Sequence, residues 1–206
     1  MVQVKDGKGT VIQRTDDTPG EIYQGPLMVL TGRRSASASE ITAGALQNYG
    51  RALVVGEKST HGKGTVQAVV ELGRFLQKAD HSQPQAGAMK LTIQKFYLPN
   101  GHSTQNRGVI PDISIPSPLD YMKIGESDLP NALPWDEIGP SRFDSLAIDP
   151  SLRVILGEKS KERLATDKDM DFLQKDIDKI RARLESGTIS LNESSRLAEK
   201  QLEDQR

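Results

Sequence analysis

The chain has 206 residues, with 27 Lys plus Arg against 28 Asp plus Glu, so it lacks the excess of basic charge that nucleic acid requires. No run approaches 18 apolar residues, so no membrane-spanning helix is expected, and apolar residues at 35% suffice at this length for a core of one or two domains. The absence of cysteine excludes a thiolate nucleophile, a disulfide and a cysteine-ligated metal.

Val2–Asp6 and Thr10–Arg14 flank Gly7-Lys8-Gly9 and read as a hairpin. Residues 15–21 are a loop by their Asp, Pro and Gly content. Pro26–Gly32 is a continuous apolar run with a glycine stop, the pattern of a buried strand. A helix follows from about Ser37 to Gly50, then a second buried strand over Arg51–Glu57. Lys58–Gly64 is a polar, glycine-bearing loop before a third strand, Thr65–Leu72. Residues 77–87 read as a surface excursion, and 88–101 as a strand ending in an Asn-Gly turn. Arg107–Pro116 reads as an edge segment, because its prolines cannot donate to a ladder. Beyond it, 117–146 is irregular, and the pattern is helical from Asp149 onward. Within 169–184, Phe172, Leu173, Ile177, Ile180 and Leu184 recur at helical spacing and are expected to face a core. Ser190 with Glu193 signals the start of a last helix.

Three serines, Ser35, Ser37 and Ser39, alternate just before the first helix. Ser37 and Glu40 have the spacing of a capping box, and for a bare strand–serine–helix pattern capping alone explains them. The same helix start also directs backbone N–H groups outward, where they favour an oxyanion, and the small Ala36 and Ala38 leave room for a substrate carbonyl. A serine nucleophile needs a base. His81 lies in the excursion and His102 at a turn, both surface settings; His61, in the loop between two strands, is a weak candidate. A lysine serves only where desolvation favours its neutral form. Lys63, flanked by Gly62 and Gly64 ahead of a β-branched strand, is the lysine that stands apart, although by itself it reads as a turn residue.

Residues 25–57 with "HGKGTVQ" (61–67), "MKLTIQKFYLPNG" (89–101), "RGVIPDI" (107–113) and "NALPWD" (131–136) resemble the carboxyl-terminal processing protease family, and within it the bacterial tail-specific proteases. The resemblance implies a mixed α/β fold: a layered strand–helix protease core of crotonase-like type, of which 1–116 would be the C-terminal half, a connection over 117–146, and a helical domain over 147–206. It carries the nucleophile onto Ser37, the general base onto Lys63 and a lysine-orienting glutamine onto Gln67. Strand alternation puts residues 63, 65 and 67 on one face. It makes the Ala38 N–H an oxyanion donor and leaves Ser35 and Ser39 structural. The chain departs from the tail-specific pattern at Asn48, where those proteases have an aspartate, and in a loop before Lys63 that is one residue longer.

The implied activity is a serine endopeptidase with a Ser–Lys dyad, needing no cofactor and no metal, acting on proteins with exposed apolar C-terminal tails. Its implied setting is periplasmic. The family's upstream core half and PDZ domain have no counterpart here, so the chain is expected to be a fragment, weak or inactive alone. The helical tail is a candidate surface for an adaptor or for self-association. Two other readings stand beside this one: an inactive protease-like binding or scaffold module, and an acyltransferase or hydratase of similar architecture, against which the Ser37–Lys63 pair argues.

Overall fold

The computed structural model describes every residue except Pro19, Glu21, 77–85, Ala147, Gln205 and Arg206. In chain order its elements are β1 (Val2–Asp6), β2 (Val11–Arg14), β3 (Met28–Thr31), α1 (Ala38–Asn48), β4 (Leu53–Gly56), β5 (Thr65–Glu71), β6 (Ala88–Tyr97), β7 (Ile113–Ser114), α2 (Pro150–Thr166), α3 (Lys168–Ser186) and α4 (Glu193–Asp204). The expected excursion falls outside the described residues as far as 85.

The strands form two sheets. An antiparallel sheet has the order β2-β1-β6-β5, and a parallel sheet the order β3-β4-β7. The β1–β2 hairpin closes where the Asp6 carboxylate accepts the N–H groups of Lys8 and Thr10, each at 2.9 Å, while Gly9 takes φ +87°. Parallel neighbours need a crossover, and α1 supplies it between β3 and β4. Ala43 of α1 packs on Val54, Val109 and Val29. The other face of the same sheet, Leu53, Val55 and Ile113, is covered by Ile115 just after β7 and by Ile148 and Leu156 of the C-terminal part. The parallel sheet therefore lies between α1 and α2 as the middle of three layers. Asp112 secures this arrangement: one carboxylate oxygen takes the Val54 N–H at 2.8 Å and the other pairs with Arg153 of α2 at 3.2 Å. The mixed α/β class and the helical tail are as expected from the sequence.

Three expectations need correction. The Pro26–Gly32 run is buried on one side only: Met28 is 54% and Leu30 76% exposed. Met28 and Leu30 pair beside Leu53 and Val55, on the face that Ile148 and Leu156 cover, and that cover stops short of β3 at the end of the sheet. On α3, Ile177 is buried, but Phe172 and Leu184 are about half exposed. The surface meeting this helix is a short turn over Pro118–Tyr121 together with part of α2, which covers its middle and leaves the ends of the apolar stripe in solvent. The cap of α4 is Asn192, whose side-chain oxygen accepts the Ser195 N–H at 3.2 Å; Ser190 instead accepts the N–H of Asn192. A helix that starts at Glu193 puts its cap one residue earlier, and Asn caps as well as Ser.

Candidate active site

Ser37 stands between a short turn and the first residue of α1. Gly32 and Ser35 close that turn, the Gly32 N–H reaching Ser35 Oγ at 3.1 Å and the Ser35 N–H reaching the Gly32 carbonyl at 2.9 Å. Ser37 itself is held at φ 57°, ψ −111°. This conformation is strained for a residue with a side chain, by roughly 1–3 kcal/mol, and such strain persists only where surrounding contacts impose it. It turns the residue sharply into the helix, as in the strand-to-helix elbows that present a nucleophilic serine. The Glu40 N–H bonds to the Ser37 carbonyl oxygen at 2.9 Å, and the Ser37 hydroxyl takes no cap hydrogen bond among the described residues. Ala38, exposed at the helix start, makes no backbone N–H bond to a described residue outside its helix.

Lys63 sits in a loop whose glycines have separate reasons. Gly62 lies at φ +94°, a conformation open to glycine. At Gly64 the reason is space: a Cβ there would come within 2.6 Å of Ser103 Oγ and 2.7 Å of the Gln105 nitrogen. Lys63 Nζ donates to Gln67 Oε1 at 3.0 Å. The loop before it is well anchored. The Arg33 guanidinium donates to Ser59 Oγ at 2.6 Å and to the Thr60 carbonyl at 2.8 Å, and the His61 N–H donates to the Ser35 carbonyl at 2.9 Å.

The two segments meet at Glu40, which is fully buried. Its Oε2 accepts the Ser37 N–H at 2.7 Å and the Lys63 N–H at 2.9 Å. Its Oε1 accepts the Thr60 hydroxyl at 2.5 Å and the Gly62 N–H at 2.6 Å. A single oxygen atom thus holds the backbones of Ser37 and Lys63 together. Burial pushes the Glu40 carboxyl above its ordinary range, outweighing the four donors that pull it down.

Of the residues singled out in the sequence, Ser37 and Lys63 meet through their backbones at Glu40, Ala38 follows Ser37 in α1, and Gln67 bonds the Lys63 amine. Asn48 does not join them. It ends α1, about 16 Å along the helix from Ser37 at 1.5 Å per residue. Its Oδ1 accepts the Asn100 N–H at 3.0 Å, tying the helix end to the turn after β6. His61 pairs with Glu126 at 3.3 Å, and His102 lies exposed with Glu137 at 3.6 Å. His81 lies outside the described residues. Sequence reasoning missed the weight of Glu40, seen there only as a capping partner, and missed Thr60 and Gln105 altogether. The serine–glutamate spacing was a signal for the first; nothing local marks the other two.

Residues 1–115 match the model of peptidase family S41, and residues 119–206 match that of the C-terminal domain of tail specific protease. The tail-specific protease of Haemophilus influenzae is 38% identical over 100% of this chain and 30% of its own length. The carboxy-terminal processing protease CtpB of Bacillus subtilis is 42% identical over 54% of this chain and 20% of its own. Among solved structures, the photosystem II D1 C-terminal processing protease is 31% identical, covering 55% of this chain and 26% of that one, with a TM-score of 0.43. The chain spans less than a third of the length of these curated relatives. A family model that matches more than half of the chain, over the segments bearing Ser37 and Lys63, means that the chain belongs to peptidase family S41.

Proposed function

We propose that the chain carries the catalytic dyad of a serine endopeptidase, with Ser37 as nucleophile and Lys63 as general base. The observation that carries this reading is the Glu40 carboxylate oxygen shared by the backbone N–H groups of Ser37 and Lys63. Lys63 takes the proton of Ser37 Oγ while the oxygen attacks the scissile carbonyl. The resulting oxyanion is met by the Ala38 N–H at the positive end of α1. Collapse expels the amine, which receives the proton from Lys63, and leaves an ester on Ser37. Water then attacks the ester as Lys63 takes its proton, and collapse passes that proton from Lys63 to Ser37 Oγ as the carboxylic acid departs, restoring both residues. Gln67 orients the amine through its 3.0 Å contact. The position of Asn48 at the far end of α1 separates that departure from the chemistry and favours a working enzyme over an inactive scaffold.

The substrates are proteins with exposed apolar C-terminal tails, cleaved in the periplasm, in keeping with the tail-specific relative. The chain spans less than a third of the length of these relatives, and alone it is expected to cleave weakly or not at all. The test is digestion of an unfolded protein bearing an apolar tail. It compares this chain, the chain joined to the upstream length of its relatives, and Ser37→Ala and Lys63→Ala forms of the joined protein. The joined protein cleaves, and either substitution lowers kcat at least about a thousandfold. Cleavage that survives Ser37→Ala overturns the reading.

A further inference from the structure

Behind Lys63 lies a second layer of contacts, in which Gln105 and Asn106 of the protease-family match meet Glu126 and Leu133 beyond it. Gln105 is fully buried, and its amide is held in one orientation. Its Nε2 donates to Glu126 Oε1 at 3.3 Å and to the Leu133 carbonyl at 3.1 Å. Both acceptors lie beyond residue 118, in the stretch that matches the C-terminal domain of tail specific protease. With the nitrogen so engaged, Gln105 Oε1 accepts the Gly64 N–H at 2.9 Å, directly after the lysine. On the other side of the lysine, the Glu126 N–H donates to the His61 carbonyl at 2.9 Å, and the Glu126 carboxylate meets His61 Nε2 at 3.3 Å. The neighbouring Asn106 repeats the pattern: its backbone N–H donates to the Gly62 carbonyl at 2.7 Å, and its side chain donates to the Leu133 carbonyl at 2.9 Å. Trp135 fixes the strap itself, its indole N–H on the Ser103 carbonyl at 2.9 Å and its ring under the Arg107 guanidinium at 3.5 Å.

We infer that Gln105 and Glu126 are positioning residues for Lys63, through which the C-terminal region sets the reach of the lysine toward Ser37. The inference rests on the serine–lysine reading above. Gly62 and Gly64 put no side chains beside Lys63, so the hydrogen bonds made to its loop from other elements set its place. Glu40 holds the loop from the serine side, and Gln105 with Glu126 hold it from behind. A buried amide turned by a carboxylate presents an acceptor, and not a donor, to the Gly64 N–H. Without that carboxylate the amide nitrogen keeps the Leu133 carbonyl at 3.1 Å and Asn106 Oδ1 at 3.4 Å but loses its charged acceptor, and the Gly64 N–H is held less firmly. A displacement of about 1 Å in a reacting group costs on the order of a hundredfold in rate while leaving remote substrate contacts intact.

The experiment uses Glu126→Ala, Gln105→Leu and Glu126→Gln in the form of the protein that cleaves. Each is examined by steady-state kinetics, thermal melting and amide exchange at Gly62 and Gly64. Glu126→Ala and Gln105→Leu lower kcat by about ten- to a hundredfold with KM within about twofold, and speed Gly64 amide exchange about tenfold or more. Glu126→Gln keeps an acceptor oxygen for Gln105 and retains kcat to within about threefold. If Gln105→Leu fails to fold, Glu126→Ala, at a less buried site, still decides. Unchanged kcat and exchange in a folded Glu126→Ala protein overturn the inference, as does a rise in KM alone. If the unsubstituted protein shows no Ser37-dependent cleavage, the serine protease reading fails. The exchange data then stand alone: unchanged exchange overturns the inference, and faster exchange supports the hold on the loop.

Discussion

Glu40 is the residue on which the candidate site turns, because its two oxygens accept four donors from both halves of the site. A carboxylate offers acceptors only, which suits this setting; an amide would turn an –NH2 toward N–H or O–H donors. Glu40→Gln is therefore expected to destabilise the protein by roughly 1–3 kcal/mol and to lower activity together with stability. Its pH dependence has a definite sign. Burial raises the Glu40 carboxyl above 4.5, so the folded state holds that proton more tightly than the unfolded chain does. The stability contributed by the protonated form is present in full below about pH 4.5 and is lost as pH rises through the raised value. The melting temperature of the wild-type protein should accordingly fall relative to that of Glu40→Gln as pH rises from there toward neutral. A difference that stays constant over that range contradicts this account. The serine–glutamate spacing was visible in the sequence, but the Ser37 backbone at φ 57° was not, since serine carries no preference for that region.

At the scale of elements, the loop Lys58–Gly64 joins β4 to β5 and is bonded along its length to other elements, and its final glycine is fixed by crowding. Gly64→Ala sets a methyl group against the Gln105 backbone nitrogen and the Ser103 hydroxyl at contacts too short to exist. The loop must shift, and the shift begins one residue from Lys63. The expected cost is about 1–3 kcal/mol of stability, read by thermal melting, with a loss of kcat larger than the stability change explains. A variant that melts lower but keeps kcat would separate the glycine from the chemistry. Strand boundaries here were largely legible, because the apolar runs of β4, β5 and β6 are bounded by Gly, Asn and polar loops. The half-burial of β3 was not, because an edge strand and a central strand share the same apolar run until the neighbours are known. The apolar stripe of α3 misleads for a related reason: spacing shows which side chains share a face, but not how much of that face is covered.

At the scale of the whole molecule, the C-terminal region forms one wall of the core. Ile148 and Leu156 cover Leu53, Val55 and Ile113, and Arg153 pairs with Asp112 at the end of the parallel sheet. A chain ended at Pro116 would expose that apolar face and lose the partners of Gln105 at Glu126 and Leu133. Residues 1–116 alone are expected to melt at a lower temperature than the whole chain, or to aggregate, when followed by circular dichroism and light scattering. Equal melting temperatures would show that the parallel sheet needs no cover from α2.

The sequence by itself determined the chemistry on offer: a serine at a helix start, a lysine between glycines, no thiol, and a mixed α/β pattern with a helical tail. These are properties of residue type and local spacing, which physical preference alone can read. Only the tertiary structure decided which of these groups meet. Ser37 and Lys63 are 26 positions apart, and one oxygen of the Glu40 carboxylate, whose other oxygen accepts the Thr60 hydroxyl, brings their backbones together. Gln105 and Glu126, which hold the lysine loop from behind, lie farther still along the chain. Hydrogen bonds across such distances follow from packing, which no local pattern encodes.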